Sequence, residues 1–67
     1  MKYYDIHVTY GKKDGDGYSI PIAIENGTEG DAIEKAKAEG KFEYEEDIDC
    51  IDYVEEIDED EYNDMTL

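Results

Sequence analysis

Along the first ten residues apolar and polar side chains alternate: Tyr4, Ile6, Val8 and Tyr10 fall on one face, and Tyr3, Asp5, His7 and Thr9 on the other. A period of two belongs to a strand with one buried face, so strand one is predicted over roughly residues 2–10. Tyr18, Ile20, Ile22 and Ile24 repeat the pattern opposite Ser19, Pro21, Ala23 and Glu25, with the Gly- and Asp-rich stretch from Gly11 to Gly17 between the two runs. This predicts strand two of a hairpin. Pro21 has no N–H to give a ladder, which makes strand two an edge. Asn26 and Gly27 then read as a turn, and Thr28 as an N-cap with Asp31 three residues on. A helix is expected over about residues 29–39, with Ala32, Ile33 and Ala36 as its apolar stripe. Lys35 and Lys37 suit the C-terminal end of its dipole, and Gly40 its C-cap.

Residues 48–57 carry two periodicities. Ile51, Tyr53 and Ile57 share one period-two face and Ile48, Cys50 and Val54 the other, while Ile48, Ile51, Val54 and Ile57 recur every third residue as in a helix. The β-branched and aromatic content favours a strand, and a two-stranded hairpin needs a third strand to be stable. A right-handed crossover from strand two sets strand three beside strand one. The fold class read from this pattern is α+β, a small single domain with elements strand-strand-helix-strand. Its three-stranded antiparallel sheet has order 2-1-3, with one helix packed on one face. Residues 1–57 make the domain. Residues 58–67 read as an acidic C-terminal tail with little to pack, which frays or orders on binding.

Composition changes this picture mainly through charge. The 67 residues hold 21 Asp and Glu against 6 Lys and no Arg, a formal net charge of −15. Residues 1–41 contain 8 acids and all 6 Lys, whereas residues 42–67 contain 13 acids and no base. A chain of this length buries only about 60% of its unfolded surface, which argues against a deep catalytic cleft. One Cys and one His cannot build a structural zinc site, nor can Cys50 form an intrachain disulfide. No apolar run approaches the length of a membrane span, and the opening Met-Lys-Tyr-Tyr-Asp is not a secretory leader. A soluble protein in the cytoplasm of a bacterial host cell is therefore expected. Nucleic acid and anionic membranes would be repelled by so negative a surface; a positively charged protein groove is its natural opposite.

Several local motifs invite chemistry and fail on detail. Lys13 to Ile20 partly reproduces an EF-hand calcium loop. With Asp14, Asp16 and Gly17 at loop positions 3, 5 and 6, however, position 1 is Lys12 and position 12 is Ala23, neither of which ligates calcium as the motif requires. A hairpin loop is the better reading. Asn26-Gly27-Thr28 matches a glycosylation acceptor but serves as turn and cap. His7, with Asp5 and Thr9 on its side of strand one and Ser19 on the neighbouring strand, suggests a hydrolase. No nucleophile elbow or oxyanion-hole loop accompanies it, so no catalytic residues, cofactor or metal site are assigned. The adjacent pairs Glu45/Glu46 and Glu55/Glu56 would point apart on a strand and form no acid–base dyad. Cys50 has Asp49 and Asp52 beside it, the wrong charge to favour a thiolate, and reads as a packing residue.

The acidic run is too one-sided to serve solubility alone, because like charges at this density cost stability that a small domain lacks. Alternate carboxylates on a strand lie about 6.6 Å apart, comparable with successive phosphates of a nucleic-acid backbone. Asp47, Asp49, Asp52, Glu55, Glu56, Asp58, Glu59, Asp60, Glu61 and Asp64 are accordingly expected to form a phosphate-like, partner-binding row. In this respect the chain resembles the small acidic DNA-mimic inhibitors of phages and mobile elements, of the anti-CRISPR and anti-restriction type. The string Asp58-Glu59-Asp60-Glu61-Tyr62-Asn63-Asp64-Met65 is similar in wording to an acidic Tyr-Asn-Asp-Met stretch in inhibitors of RNA-guided nucleases. The resemblance implies that Asp58, Glu59, Asp60, Glu61 and Asp64 occupy the groove that reads protospacer-adjacent DNA, where Arg would otherwise pair with guanine. Those inhibitors carry a longer helical flank there than the short tail expected here. The order of the Tyr-rich strand, the Ala32-Ile33-Glu34-Lys35-Ala36 helix and the acidic strand ending Tyr53-Val54-Glu55-Glu56-Ile57 is also similar to short phage and plasmid proteins of unassigned function.

The function expected from the sequence is a non-enzymatic DNA-mimic inhibitor whose partner is a basic nucleic-acid-binding protein, such as a CRISPR nuclease complex or another host defence protein. The alternative is a small interaction or assembly module, with a homodimer among its forms, whose acidity serves solubility. Either way, strand three must be laid down against mutual repulsion. The melting temperature should rise as NaCl is raised from about 10 mM to a few hundred mM, over which the Debye length shrinks from roughly 30 Å towards several Å. A Tm flat in salt, followed by circular dichroism, would show the carboxylates to be already compensated.

Overall fold

The computed structural model describes residues 1–10 and 17–67. The expected hairpin loop, apart from Gly17, and the calcium-loop-like Asp14 and Asp16 lie outside the described residues. Strand β1 is Lys2–Thr9 and strand β2 is Gly17–Ile24. They pair antiparallel, from Lys2 opposite Ile24 to Thr9 opposite Gly17, so that Tyr4, Ile6 and Val8 share a face with Ile22, Ile20 and Tyr18. Gly17 has φ +140°, and a Cβ there would stand 2.1 Å from the carbonyl oxygen of Val8. Only glycine fits where β2 begins.

Helix α1, Glu29–Ala38, covers the apolar face. Its start is the expected box: Asp31 N–H donates to Thr28 Oγ1 at 3.4 Å, and Thr28 N–H donates to the Asp31 carboxylate at 2.8 Å. At its end, Gly40 takes φ +66° and donates to the Lys37 carbonyl while Lys41 donates to that of Ala36. This is the pair of bonds of a Schellman stop, with Glu39 as the cap, one residue before the expected Gly40, and Gly40 in the left-handed position that follows it. Ala32 and Ala36, one turn apart, are wholly buried and allow the helix close to the sheet. The Lys35 ammonium donates to the Ala23 carbonyl and ties α1 to β2. The core under α1 consists of Tyr4, Ile6, Val8, Ile20, Ile22, Ile24, Ala32 and Ala36, with Ile33, Phe42, Cys50, Ile51 and Val54 packed around it.

After α1 the chain turns through a 3₁₀ helix, η1, Glu45–Cys50, before strand β3, Ile51–Ile57. β3 therefore begins three residues later than the expected 48–57. It pairs antiparallel with β1, giving sheet order β2-β1-β3 and an α+β domain with Pro21 on an edge strand. The register skips between His7 opposite Tyr53 and Val8 opposite Ile51, leaving Asp52 as an extra, unpaired residue. Strict alternation puts Ile51 with Tyr53 and Ile57. The bulge instead transfers Ile51 to the face of Val54 and the core, while Tyr53 and Ile57 stay on the opposite face.

Residues 58–67 are no unpacked tail. Helix α2, Glu59–Thr66, follows β3 at once and packs against β1 and β2. Tyr62 lies 4.9 Å, ring to ring, from Tyr3, on the sheet face opposite α1. The single expected helix on one face is thus joined by a short second helix on the other. Among the described residues no helix is long and apolar enough to cross a membrane.

η1 is held by Asp47, among the described residues the one charged side chain that is fully buried, at 1% exposure. One of its carboxylate oxygens accepts from the Tyr18 hydroxyl at 2.5 Å, the Tyr10 hydroxyl at 2.9 Å and the Tyr44 N–H at 3.2 Å. The Tyr18 hydroxyl in turn accepts from Glu43 N–H at 3.0 Å. Burial pushes the Asp47 pKa up, but the hydroxyls of Tyr18 and Tyr10 and the Tyr44 N–H outweigh it and hold the group below its ordinary 3.8. A lowered folded pKa stabilises the fold above the unfolded value, and that contribution disappears as pH falls through the folded value. Asp47→Asn should lower Tm at pH 7, with the gap to wild type narrowing steadily below about pH 4. Asp49→Asn, on the exposed side of η1, should leave Tm almost unchanged. Melts across pH for the three proteins check this.

Candidate functional site

The thirteen acids of residues 42–67 separate into one buried anchor and twelve exposed groups. Asp47, expected in the phosphate-like row, is removed from it: its carboxylate is consumed by three internal donors and faces no partner. The row is not carried by one evenly spaced strand either, because β3 holds only Asp52, Glu55 and Glu56. Glu56 is opposite Tyr4 and Glu55 opposite Asp5, so the two point to opposite faces, and Asp52 projects at the bulge. The structure distributes the exposed carboxylates over three consecutive elements instead. Glu45, Glu46 and Asp49 belong to η1, where they line an open depression with Ile48. Glu56, Asp58 and Glu59 line another at the junction of β3 and α2, with Met1, Lys2, Tyr3 and Ile57. Asp60, Glu61 and Asp64 continue along α2, all exposed.

Among the described residues no lysine makes an ion pair with any of these twelve. The lysine pairs present, Lys35 with Glu39 and Lys37 with Glu34, are internal to the α1 region. What compensates part of the acidic charge is backbone. Asp58 caps α2 by accepting from Glu61 N–H at 2.8 Å, and Glu59, Asp60 and Glu61 fill its first turn, where the helix dipole favours anions. This start signal was present in Asp58-Glu59-Asp60-Glu61, with the half-buried Tyr62 and Met65 three apart as the packing side. It is masked by a composition that otherwise reads as disordered.

A second constellation lies on the α2 side of the sheet. Asp5, 5% exposed, places Oδ2 2.6 Å from His7 Nε2. The His7 Nδ1 is 3.4 Å from Ser19 Oγ, and its ring stacks on Tyr53 at 4.2 Å and 19°. Glu55, directly across from Asp5, completes a group in which one donor atom from each of Asp5, His7 and Glu55 lies within 4.8 Å of the others. The Tyr53 pKa is raised by burial first, then by the charges of Glu55, Asp5 and Asp52, a measure of how negative this face is. Asp5, His7 and Ser19 were visible together in the alternation of the hairpin. Glu55 was not, because its position depends on the β1–β3 register. Hydroxyl, imidazole and carboxylate stand in the order used by nucleophilic catalysis, yet Ser19 is exposed on an open sheet face. Neither of the depressions named above includes Ser19 or His7.

No protein-family model, curated protein or solved structure matches this chain. The fold and its charges therefore carry the functional reading alone.

Removing the α2 cap should detach the C-terminal acids from their present places. Asp58→Ala should cost about 1 kcal/mol of helix stability, seen as a loss of helical ellipticity with the sheet retained. Asp58→Asn, which also caps, should restore it.

Proposed function

We propose that this protein is a non-enzymatic acidic DNA mimic that inserts its C-terminal carboxylates into the positively charged nucleic-acid groove of a bacterial defence protein, such as a CRISPR nuclease complex, in the host cytoplasm. The observation that carries this reading is the set of twelve exposed carboxylates of residues 42–67, ten on η1, β3 and α2 with Glu43 ahead of η1 and Asp58 capping α2, unpaired with any lysine among the described residues. A protein that needed acidity only for solubility would gain from interspersed lysines, which relieve self-repulsion at no loss of hydration. Asp58, Glu59, Asp60, Glu61 and Asp64 are held on a capped helix, so part of the ordering cost of a binding tail is met before the partner arrives. The acids of η1 and Asp52, Glu55 and Glu56 extend the surface beyond it. Phage origin and the anti-CRISPR assignment rest on the resemblance of residues 58–65.

The assembly-module alternative needs an exposed sheet edge or apolar face, and one such edge is the outer side of β3, which has no neighbouring strand among the described residues. Two copies meeting there would bring Asp52, Glu55 and Glu56 of each into apposition, and charge on an edge strand is how sheets avoid such pairing. This favours a basic partner over a second copy.

Because Asp58 caps α2, the informative variant spares it. Glu56→Gln, Asp60→Asn, Glu61→Gln and Asp64→Asn together leave the cap and the Tyr3–Tyr62 contact in place. Wild type should displace labelled duplex DNA from a purified RNA-guided nuclease complex at low salt and progressively less as salt rises. The fourfold variant should lose at least about tenfold in potency, roughly one 1.4 kcal/mol step. Equal potency of the two proteins would sink the mimic reading.

A further inference from the structure

Asp5 and Glu55 are directly opposed on neighbouring strands, an arrangement that destabilises a sheet when both are charged. Asp5 is also the buried partner, and only one of its oxygens is used: Oδ2 meets His7, while Oδ1 is shielded from solvent and has no hydrogen-bond partner. A buried carboxylate oxygen without a donor is costly. Its placement in the middle of a sheet face, opposite a second carboxylate and beside an imidazole, asks for a positive ligand.

We infer that Asp5, His7 and Glu55 form a binding site for a single divalent first-row transition-metal ion, of which zinc is the simplest probe, clamping β1 to β3. One nitrogen and two carboxylate oxygens suit such an ion, since imidazole selects it over magnesium and calcium. The ion enters between Nε2 and the Asp5 carboxylate, where the unpartnered Oδ1 also gains a positive neighbour. With metal–ligand distances of about 2.0–2.2 Å, Nε2 and Oδ2, now 2.6 Å apart, must separate by roughly 0.4–0.8 Å to share one ion. Glu55 is exposed and closes in by rotation of its side chain. The neutral, ligating imidazole keeps its proton on Nδ1, where Ser19 Oγ at 3.4 Å accepts it, and the stacked Tyr53 fixes the ring plane. An outer partner of that kind commonly orients a ligating histidine. Water fills the remaining positions on the open side. The two opposed carboxylates then share a cation where they otherwise repel.

The test uses the full chain, with zinc, magnesium and calcium as separate probes. His7 is the single histidine, so its ring nitrogens are seen alone in a long-range proton–nitrogen correlation spectrum. One equivalent of zinc should shift Nε2 to a metal-bound position with Nδ1 protonated. Tm should rise by about 10–20 °C at roughly a hundred times Kd. Magnesium and calcium at the same concentration should do neither. Glu55→Gln, at an exposed position that leaves the fold intact, and His7→Gln should each weaken zinc binding at least tenfold by calorimetry. The site is overturned if zinc leaves the His7 nitrogens unmoved, or if Glu55→Gln and His7→Gln bind zinc as tightly as wild type. Equal effects of zinc and calcium, fading together with added salt, would likewise overturn it in favour of diffuse attraction to the acidic surface.

Discussion

The carboxylate of Asp47 is the contact on which the C-terminal half depends. It gathers Tyr10, just past β1, Tyr18, early in β2, and the backbone of Tyr44 onto one oxygen, and so fixes η1 against the sheet. That anchor sets where the chain leaves η1 and enters β3. From there follow the bulge at Asp52, the pairing of Tyr53 with His7 and of Glu55 with Asp5, and the launch of α2 from Asp58. A buried carboxylate is tolerable there because one of its oxygens accepts three hydrogen bonds, and bonds to a charged acceptor are about twice as strong as those between neutral groups.

The same negative charge is used in three ways. Asp47 is taken inside as an acceptor. Asp31 and Asp58 satisfy helix N-termini, and Glu59 and its neighbours sit where a helix dipole welcomes them. The other acids of residues 42–67 stand exposed, and none of them pairs with a lysine among the described residues. Together with Asp58 and the exposed acids of the first turn of α2, they form the surface on which the mimic reading rests. Asp5 belongs to none of the three: buried and opposite Glu55, it is, among the described residues, the one carboxylate with a buried oxygen that finds no hydrogen-bond partner.

The two sheet faces differ accordingly. Under α1 the contact is dry and aliphatic, made close by Ala32 and Ala36. Under α2 it is aromatic, through Tyr3 and Tyr62, and the same face of the sheet carries Tyr53, His7 and Asp5. A small domain that covers its second face with a helix of eight residues has little apolar area to hold it, so capping and the Tyr3–Tyr62 contact matter more there than burial does.

By itself the sequence determined the hairpin, the capped helix, the sheet order and the confinement of charge to the last third. Each of these is a local or nearest-neighbour property: alternation in Tyr4-Ile6-Val8 and Ile20-Ile22-Ile24, the Thr28–Asp31 box, the missing donor of Pro21. Tertiary structure alone decided which acid would be buried, where β3 would slip its register and what would face Asp5. Those outcomes depend on contacts between residues some thirty or more positions apart, such as Tyr18 with Asp47 and Asp5 with Glu55. One bulged residue reverses which face every following side chain occupies, and no period counted along the chain can show it.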